Sequence, residues 1–241
     1  MLKLAIDIGN TNIKSGIFEG SDLKEYFVFE KIEMNILQSL FKKNKITKSI
    51  VCNVGNETIE LEKKLKSETT FLKLDSKTKL PFTLNYKTPE TLGTDRIAAV
   101  AGAHYFFPDE KCIVIDAGTC ITYDFISSEN IYFGGAISPG LQMRLNAMHT
   151  FTHKLPEIKF SNIDDFIGTS TESCLLAGAF YGIIGEINNT ISRYKERFGS
   201  LQTLICGGDS TLFVKHIKSN IFAAPNLILY GLNRILDFQD E

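Results

Sequence analysis

Asp7 and Asp116 stand 109 positions apart, and each is followed two residues later by a glycine, Gly9 and Gly118. Around the first, Leu2 to Phe18 reads LKLAIDIGNTNIKSGIF. Leu2, Leu4, Ile6 and Ile8 make an apolar strand with Asp7 on its other face. Gly9, Asn10, Thr11 and Asn12 reverse the chain, and Ile13 opens a second strand with Lys14 near its base. Pairing of the two strands gathers turn amides, a hydroxyl, a carboxylate and a lysine, a concavity that suits a polyphosphate and its divalent metal. The alternative is a hairpin whose Asn and Gly serve only the turn. Cys112 to Ile126, CIVIDAGTCITYDFI, repeats the arrangement with Asp116, Gly118 and Thr119. Chance recurrence competes with duplication, and duplication is the preferred reading: two similar domains, 1–108 and 109–241, whose turns clamp one nucleotide from opposite sides.

Four further stretches carry candidate chemistry. Gly93-Thr94-Asp95-Arg96 sets a carboxylate and a guanidinium at a helix start, a base and an anion clamp, or else an N-cap beside a surface charge. Gly134 to Gly140 is a glycine-rich strand end entering a helix, whose amides could approach a ligand backbone-first, or else a tight turn with Pro139 as the first helical residue. Gly168 to Thr171 offers hydroxyls that either cap a helix or hold a substrate, and Cys206 to Asp209 is a strand-to-helix turn across whose bare glycines an adenine ring could lie, or else an ordinary connection. His104, His149, His153 and His216 are scattered without zinc-ligand spacing. Walker A, G-x-G-x-x-G and serine-elbow motifs are absent.

The elements that must position these residues follow from pattern. Strands over 2–8, 13–18 and 23–29 precede a helix over Glu33–Lys43, a strand over 49–54, a helix over 58–66 and a strand over 71–74. Pro81 to Gly93 reads as irregular, and a small-residue helix runs from Thr94 or Asp95 to about His104. After the second strand pair come a strand over 131–137, a helix from Ser138 to about His149, a loop over 152–169 and a long helix from Ser170 or Thr171 to about Phe198. A strand over 201–206 and a helix over 226–236 close the pattern. Gly178, Gly182 and Gly185 along the long helix permit close approach of another helix, from the same chain or a partner. The class is mixed α/β.

Composition bounds the rest. With 44% hydrophobic residues, 22% charged residues and net charge −2, the 241-residue chain reads as a soluble globular protein with no surface for nucleic acid or membrane. Five cysteines (Cys52, Cys112, Cys120, Cys174, Cys206) show no CxxC pattern and sit mostly in apolar runs, which reads as buried thiols in a reducing compartment. The expected location is cytoplasmic.

DIGNTNIKSGIF from Asp7, GTDRI from Gly93, DAGT from Asp116 and GGAISPG from Gly134 occur together in this order. The set resembles the type III pantothenate kinases, members of the acetate and sugar kinase, heat-shock protein 70 and actin superfamily. The resemblance implies an α/β fold of two similar ribonuclease H-like domains in a duplicated actin-like architecture. It implies ATP-dependent phosphorylation of pantothenate, the first step of coenzyme A synthesis, by a homodimer using Mg²⁺ and a monovalent cation, K⁺ or NH₄⁺. Asp7, Ile8, Gly9, Asn10, Thr11, Asn12, Ile13 and Lys14 would then bind ATP, with Asp7 near the magnesium and Thr119 a second ATP contact. Tyr86, Gly93, Thr94, Asp95, Arg96 and Thr171 would bind pantothenate, Asp95 taking the proton and Arg96 the carboxylate. Asp116 matches the monovalent-cation ligand. Cys120 stands where the family commonly has a small alanine, and Ser173 to Ala177 departs from its pattern. A sugar or polyphosphate kinase of the same superfamily, or a non-catalytic regulatory protein with this fold, are the competing readings.

Overall fold

Alternation of apolar and polar residues folds the first thirty residues into an antiparallel meander: β1 (Leu2–Ile8), β2 (Ile13–Glu19) and β3 (Asp22–Phe29), the last two joined through Gly20 at φ 60°. In this computed structural model residues 1–31, 34–55, 58–163 and 165–241 are described. Helix α1 (Met34–Lys43), with Lys42 and Lys43 at its C-terminal end, leads to β4 (Ile46–Asn53), and α2 (Ile59–Glu68) leads to β5 (Thr70–Lys73). The expected helix start at Glu33 lies outside the described residues. Both crossovers return parallel, giving a five-stranded sheet in the order β3-β2-β1-β4-β5.

The chain forms two compact units, one of Met1–Glu110, Ile126–Phe133 and Asn226–Glu241, the other of Lys111–Phe125 and Gly134–Pro225. In the first, Leu4, Ile6, Ile8, Ile13, Ile17 and Val51 pack with Leu40, Leu61 and Leu65 from α1 and α2 on one face of the sheet. The other face receives α3 (Thr94–Phe106) and α7 (Leu227–Phe238). These two helices touch backbone to backbone: a Cβ on Gly231 would fall 1.8 Å from the Ala98 carbonyl oxygen. Leu227, Leu229, Leu232 and Ile235 of α7 are fully buried, each such burial stabilising by about 1.5–3 kcal/mol. Lys3 on β1, itself buried, donates to both carboxylate oxygens of Asp237 at 2.6 and 2.7 Å.

Six strands make the second sheet, in the order β11-β10-β7-β8-β9-β6. They are β6 (Thr83–Leu84), β7 (Cys112–Ala117), β8 (Cys120–Ile126), β9 (Ile131–Pro139), β10 (Gln202–Cys206) and β11 (Phe222–Ala223). Helix α5 (Thr171–Phe198) lays Leu176, Phe180, Ile183, Ile187 and Ile191 on Ile113, Ile115, Tyr123 and Ile205, the 3–4 spacing of one helical stripe. Helix α4 (Leu141–Thr150) adds Leu141 and Leu145 to that core, and the four-residue α6 (Ser210–Phe213) adds Phe213.

Three sequence expectations change. Pro81 to Gly93 is not wholly irregular: Thr83 and Asn85 donate their amides to the Asn130 and Tyr132 carbonyls at 2.9 Å, recruiting β6 onto β9, and Pro89–Thr91 winds one 3₁₀ turn. Pro139 does not open α4. Strand β9 continues through it, where a missing N–H costs nothing at a strand end, and extended Gly140 (φ −71°, ψ 178°) is the N-cap. Asp95 does not cap α3, because Gly93 occupies that position. The segment 152–169 forms no helix or strand among its described residues, Asp164 lying outside them.

Candidate active site

In-register neighbours on adjacent strands share a face, so one row of side chains crosses the first sheet: Val28 beside Lys14, Lys14 beside Asp7, Asp7 beside Cys52. Asp7 is buried, and Lys14 is half-buried. Just beyond the row, Gly9 donates its amide to the Asn12 carbonyl at 3.1 Å, which closes the turn and leaves Asn10, Thr11 and Asn12 exposed. The loop after β4 packs beneath. Val54 donates to the Ile8 carbonyl at 3.1 Å, and a Cβ on Gly55 would come within 2.9 Å of the Gly9 carbonyl oxygen.

The start of α3 reaches the same row. Cys52 Sγ donates to Thr94 Oγ1 at 3.3 Å. Burial raises the Cys52 thiol well above its ordinary value, and the Asp7 and Asp95 carboxylates push it the same way, so it stays an S–H. Asp95 Oδ1 accepts from the Arg96 amide at 2.8 Å, and a Cβ on Gly93 would sit 2.4 Å from that oxygen. Gly93 therefore makes room for the Asp95 carboxylate. Asp95 in the first turn lies at the positive end of the helix dipole, and the Arg96 side chain is buried. Two motifs far apart in sequence, the strand and turn around Asp7 and the Gly93–Arg96 helix start, thus meet around one thiol.

The second turn is built differently. Asp116 lies near the end of β7 in register with Cys206 of β10, and Thr119 is exposed at the reversal, where Gly118 donates to the Cys120 carbonyl at 2.9 Å. Gly140 donates to the Thr119 carbonyl at 3.1 Å, and a Cβ there would lie 2.2 Å from the Gly118 oxygen and 2.5 Å from that of Thr119. From the other side comes Gly207, at φ 94°, where a Cβ would meet the Ala117 carbonyl oxygen at 2.2 Å and Asp116 Oδ1 at 2.4 Å. Asp209 donates its amide to the Ala117 carbonyl at 2.9 Å, and burial raises its carboxyl above the ordinary range. The ends of the Gly134–Gly140 and Cys206–Asp209 stretches thus converge on the Asp116 turn.

Tyr86 is stacked on Tyr132 of β9, with ring centroids 6.1 Å apart. Thr171 is the exposed first residue of α5, and Ser170 supplies the cap in a reciprocal pair with Ser173. Gly168 to Thr171 line a cleft of about 620 Å³ together with Met148 and Leu155. Sequence reasoning missed Cys52 and Gly55 as site residues, since their only signal is adjacency across strands.

The donor sets bear on the expected ions. Among the described residues no group of three or more His, Cys, Asp and Glu forms a metal cage. A magnesium ion carried in by nucleotide phosphates asks for one or two carboxylates, which Asp7 fits. No helix among the described residues is long and apolar enough to cross a membrane.

Comparison with known proteins agrees with the motif order. The family model for type III pantothenate kinase matches residues 3–193. The type III pantothenate kinase of Christiangramia forsetii is 44% identical over 239 residues, covering 98% of both chains, and that of Bacteroides fragilis strain YCH46 is 42% identical over 241 residues, covering 99% of both. Among solved structures, one described as a Baf family transcriptional activator from Campylobacter jejuni superposes with TM-score 0.63 at 27% identity over 98% of each chain. The activator of 2-hydroxyisocaproyl-CoA dehydratase from Clostridium difficile, with bound ADPNP, reaches TM-score 0.55 at 11% identity over 99% of this chain and 95% of its own, a likeness of fold alone. The fold is α/β with duplicated ribonuclease H-like domains of the actin-like kind. By its family-model match and its near full-length relatives, the chain belongs to the type III pantothenate kinase family.

Proposed function

We propose that this chain uses ATP to phosphorylate pantothenate to 4'-phosphopantothenate, the first step of coenzyme A biosynthesis. The observation that carries the reading is the meeting of Asp7, Cys52, Thr94 and Asp95 inside the first unit of a chain of this family. A phosphate turn beside a carboxylate that can take a hydroxyl proton is what transfer to a primary alcohol requires.

Asp7 through Lys14 hold the ATP phosphates, with turn amides and the Lys14 ammonium offsetting their charge, and Thr119 adds a further ATP contact. Asp7 would help hold the magnesium that accompanies ATP, and that ion would supply charge neutralisation for the phosphoryl oxygens. Tyr86, Gly93, Thr94, Asp95, Arg96 and Thr171 bind pantothenate. Arg96 grips its carboxylate through a two-pronged contact, and Asp95 accepts the proton from its hydroxyl. Asp116 would hold a monovalent cation, K⁺ or NH₄⁺.

The working unit is a homodimer joined through α5. Gly178, Gly182 and Gly185 lie exposed, and a Cβ on Gly178 or Gly185 would meet nothing within 4 Å, which leaves room for a second copy. Five free thiols support a cytoplasmic location. We retain 1–108 and 109–241 as the two halves of the duplication, each headed by its turn.

A coupled ADP-release assay tests the reading with pantothenate, common sugars and no acceptor, each in magnesium with sodium and then with added potassium or ammonium. ADP release that needs pantothenate and rises with potassium or ammonium is expected. Release with a sugar alone would make the chain a sugar kinase. No release above background with any acceptor would favour the regulatory role that the description of the Campylobacter jejuni structure names.

A further inference from the structure

The geometry points to Arg144 and Glu186, with Tyr123 and Ser138, as a positioning device for the second turn on which affinity for nucleotide phosphates depends. The inference rests on the reading of the Asp116–Thr119 turn as an ATP contact. Glu186 projects from the middle of α5 and is met from three other elements. Tyr123 Oη on β8 donates to Glu186 Oε1 at 2.8 Å, and Ser138 Oγ near the end of β9 donates to Oε2 at 3.0 Å. Arg144 on α4 donates through Nη2 to that same carboxylate oxygen and to Ser138 Oγ, the latter at 2.9 Å. Its Nε donates to the Pro139 carbonyl at 2.9 Å. The two charged side chains are 21% and 29% exposed, so water screens the pair only in part. Burial works to raise the Glu186 carboxyl, and the hydrogen bonds from Arg144, Tyr123 and Ser138 outweigh it, leaving it below its ordinary value.

What these side chains grip is the corner Ser138–Pro139–Gly140. Its opposite side is the Gly140 backbone, pressed against the Gly118 and Thr119 carbonyls with no room for a Cβ. Close-packed backbone has no rotamer to absorb a shift, so displacement of the corner displaces the turn. Helix α5 is held to the sheet by its buried stripe of Phe180, Ile183 and Ile187, which packs against the Tyr123 ring, whereas Arg144 and Glu186 lie outside that core. Arg144 and Glu186 act through the corner and are positioning residues.

The test uses the full chain as Glu186→Gln, Arg144→Met and the double variant. Equilibrium binding of magnesium ADP is measured beside the pantothenate KM at saturating ATP, the thermal midpoint and the sedimentation mass. Each single variant should weaken ADP binding by about tenfold, and the double variant should be no weaker than the worse single one, because the members act as a unit. The pantothenate KM should stay within about twofold. Arg144→Lys, which keeps the charge without the fork, should recover only part of the loss. Unchanged ADP affinity with a lower midpoint would overturn the proposal, as would a loss that appears equally in the pantothenate KM or that tracks dissociation of a dimer. A wild-type chain that binds ADP but releases none with pantothenate sinks the kinase reading alone, since ADP binding by the variants still decides the positioning role.

Discussion

Around the first turn the row that carries the candidate chemistry is made by side chains, with one backbone approach of Gly55 to Gly9 beneath it, and around the second the contacts are chiefly bare backbone. Lys14, Asp7 and Cys52 form a row set by strand register, and Thr94 joins it through a hydroxyl. Gly140 and Gly207 instead press their α-carbons against carbonyl oxygens of residues 117–119. A site made of side chains can change its chemistry by substitution while the strands stay where they are. A site made of backbone cannot accept even a methyl group without moving. On the proposed reading the first turn is therefore where substitution should alter the reaction, and the second where it should alter the shape.

The largest effect should fall beside the first turn. Asp95→Asn keeps the size of the side chain and is expected to lower kcat by at least ~10²-fold, the general-base contribution, with ATP affinity nearly unchanged. A kcat within a few-fold of wild type with a lower thermal midpoint would reduce Asp95 to a helix-end charge.

Next comes a pair of glycines that sets the two turns against each other. Gly207→Ala forces a left-handed backbone and a Cβ 2.2 Å from a carbonyl oxygen, and should cost about 2–4 kcal/mol of stability. Gly9→Ala meets only the Asn12 oxygen, at 3.2 Å, and should cost less than about 1 kcal/mol. Chemical denaturation of both variants checks this, and equal losses would erase the contrast between side-chain and backbone turns.

Cys52→Ala should raise the pantothenate KM by about fivefold and leave the ATP KM alone, a loss that matches the ~1 kcal/mol worth of an ordinary hydrogen bond. Cys52→Ser, which keeps a donor to Thr94, should restore most of it. An equal loss in both variants would mean that the thiol fills space and does not position Thr94.

The smallest effect concerns Asp209. Its carboxyl titrates above the ordinary range in the folded chain because burial disfavours its charge. Folding is then penalised at neutral pH, and the penalty fades as pH falls through the folded value and the group takes a proton. Asp209→Asn should raise the thermal midpoint slightly at neutral pH, and the gain should vanish as pH drops below the ordinary aspartate value of about 3.9. A gain that persists in acid would point to a cause other than charge.

The make-up of both turns is legible in sequence because it is local. Asp7 to Lys14 and Asp116 to Thr119 each place carboxylate, glycine and hydroxyl within a few residues, and the strands around them alternate plainly. The strands of the first half and the span of α5 are legible for the same reason of period. Cys52 is not, since nothing in IVCN says that its neighbour across the sheet is Asp7. Gly93 reads as turn punctuation, whereas it makes space for a carboxylate two residues on. Pro139 resembles a helix opener because a proline ending a strand and a proline starting a helix are locally alike. Strands β6 and β11, two residues each, are too short to carry any period.

Helix α7 has a consequence for synthesis on the ribosome. The first unit draws on Met1–Glu110 but takes its last piece from Asn226–Glu241, and the whole of Gly134–Pro225 is translated in between. A nascent chain therefore holds the faces of β1, β4 and the alanine-rich α3 uncovered while the second unit is being made. The second unit, begun later, is complete first. Chaperones that shield apolar surface should engage the early chain for longer than its length alone would suggest, and release it when Leu227 to Leu236 emerge.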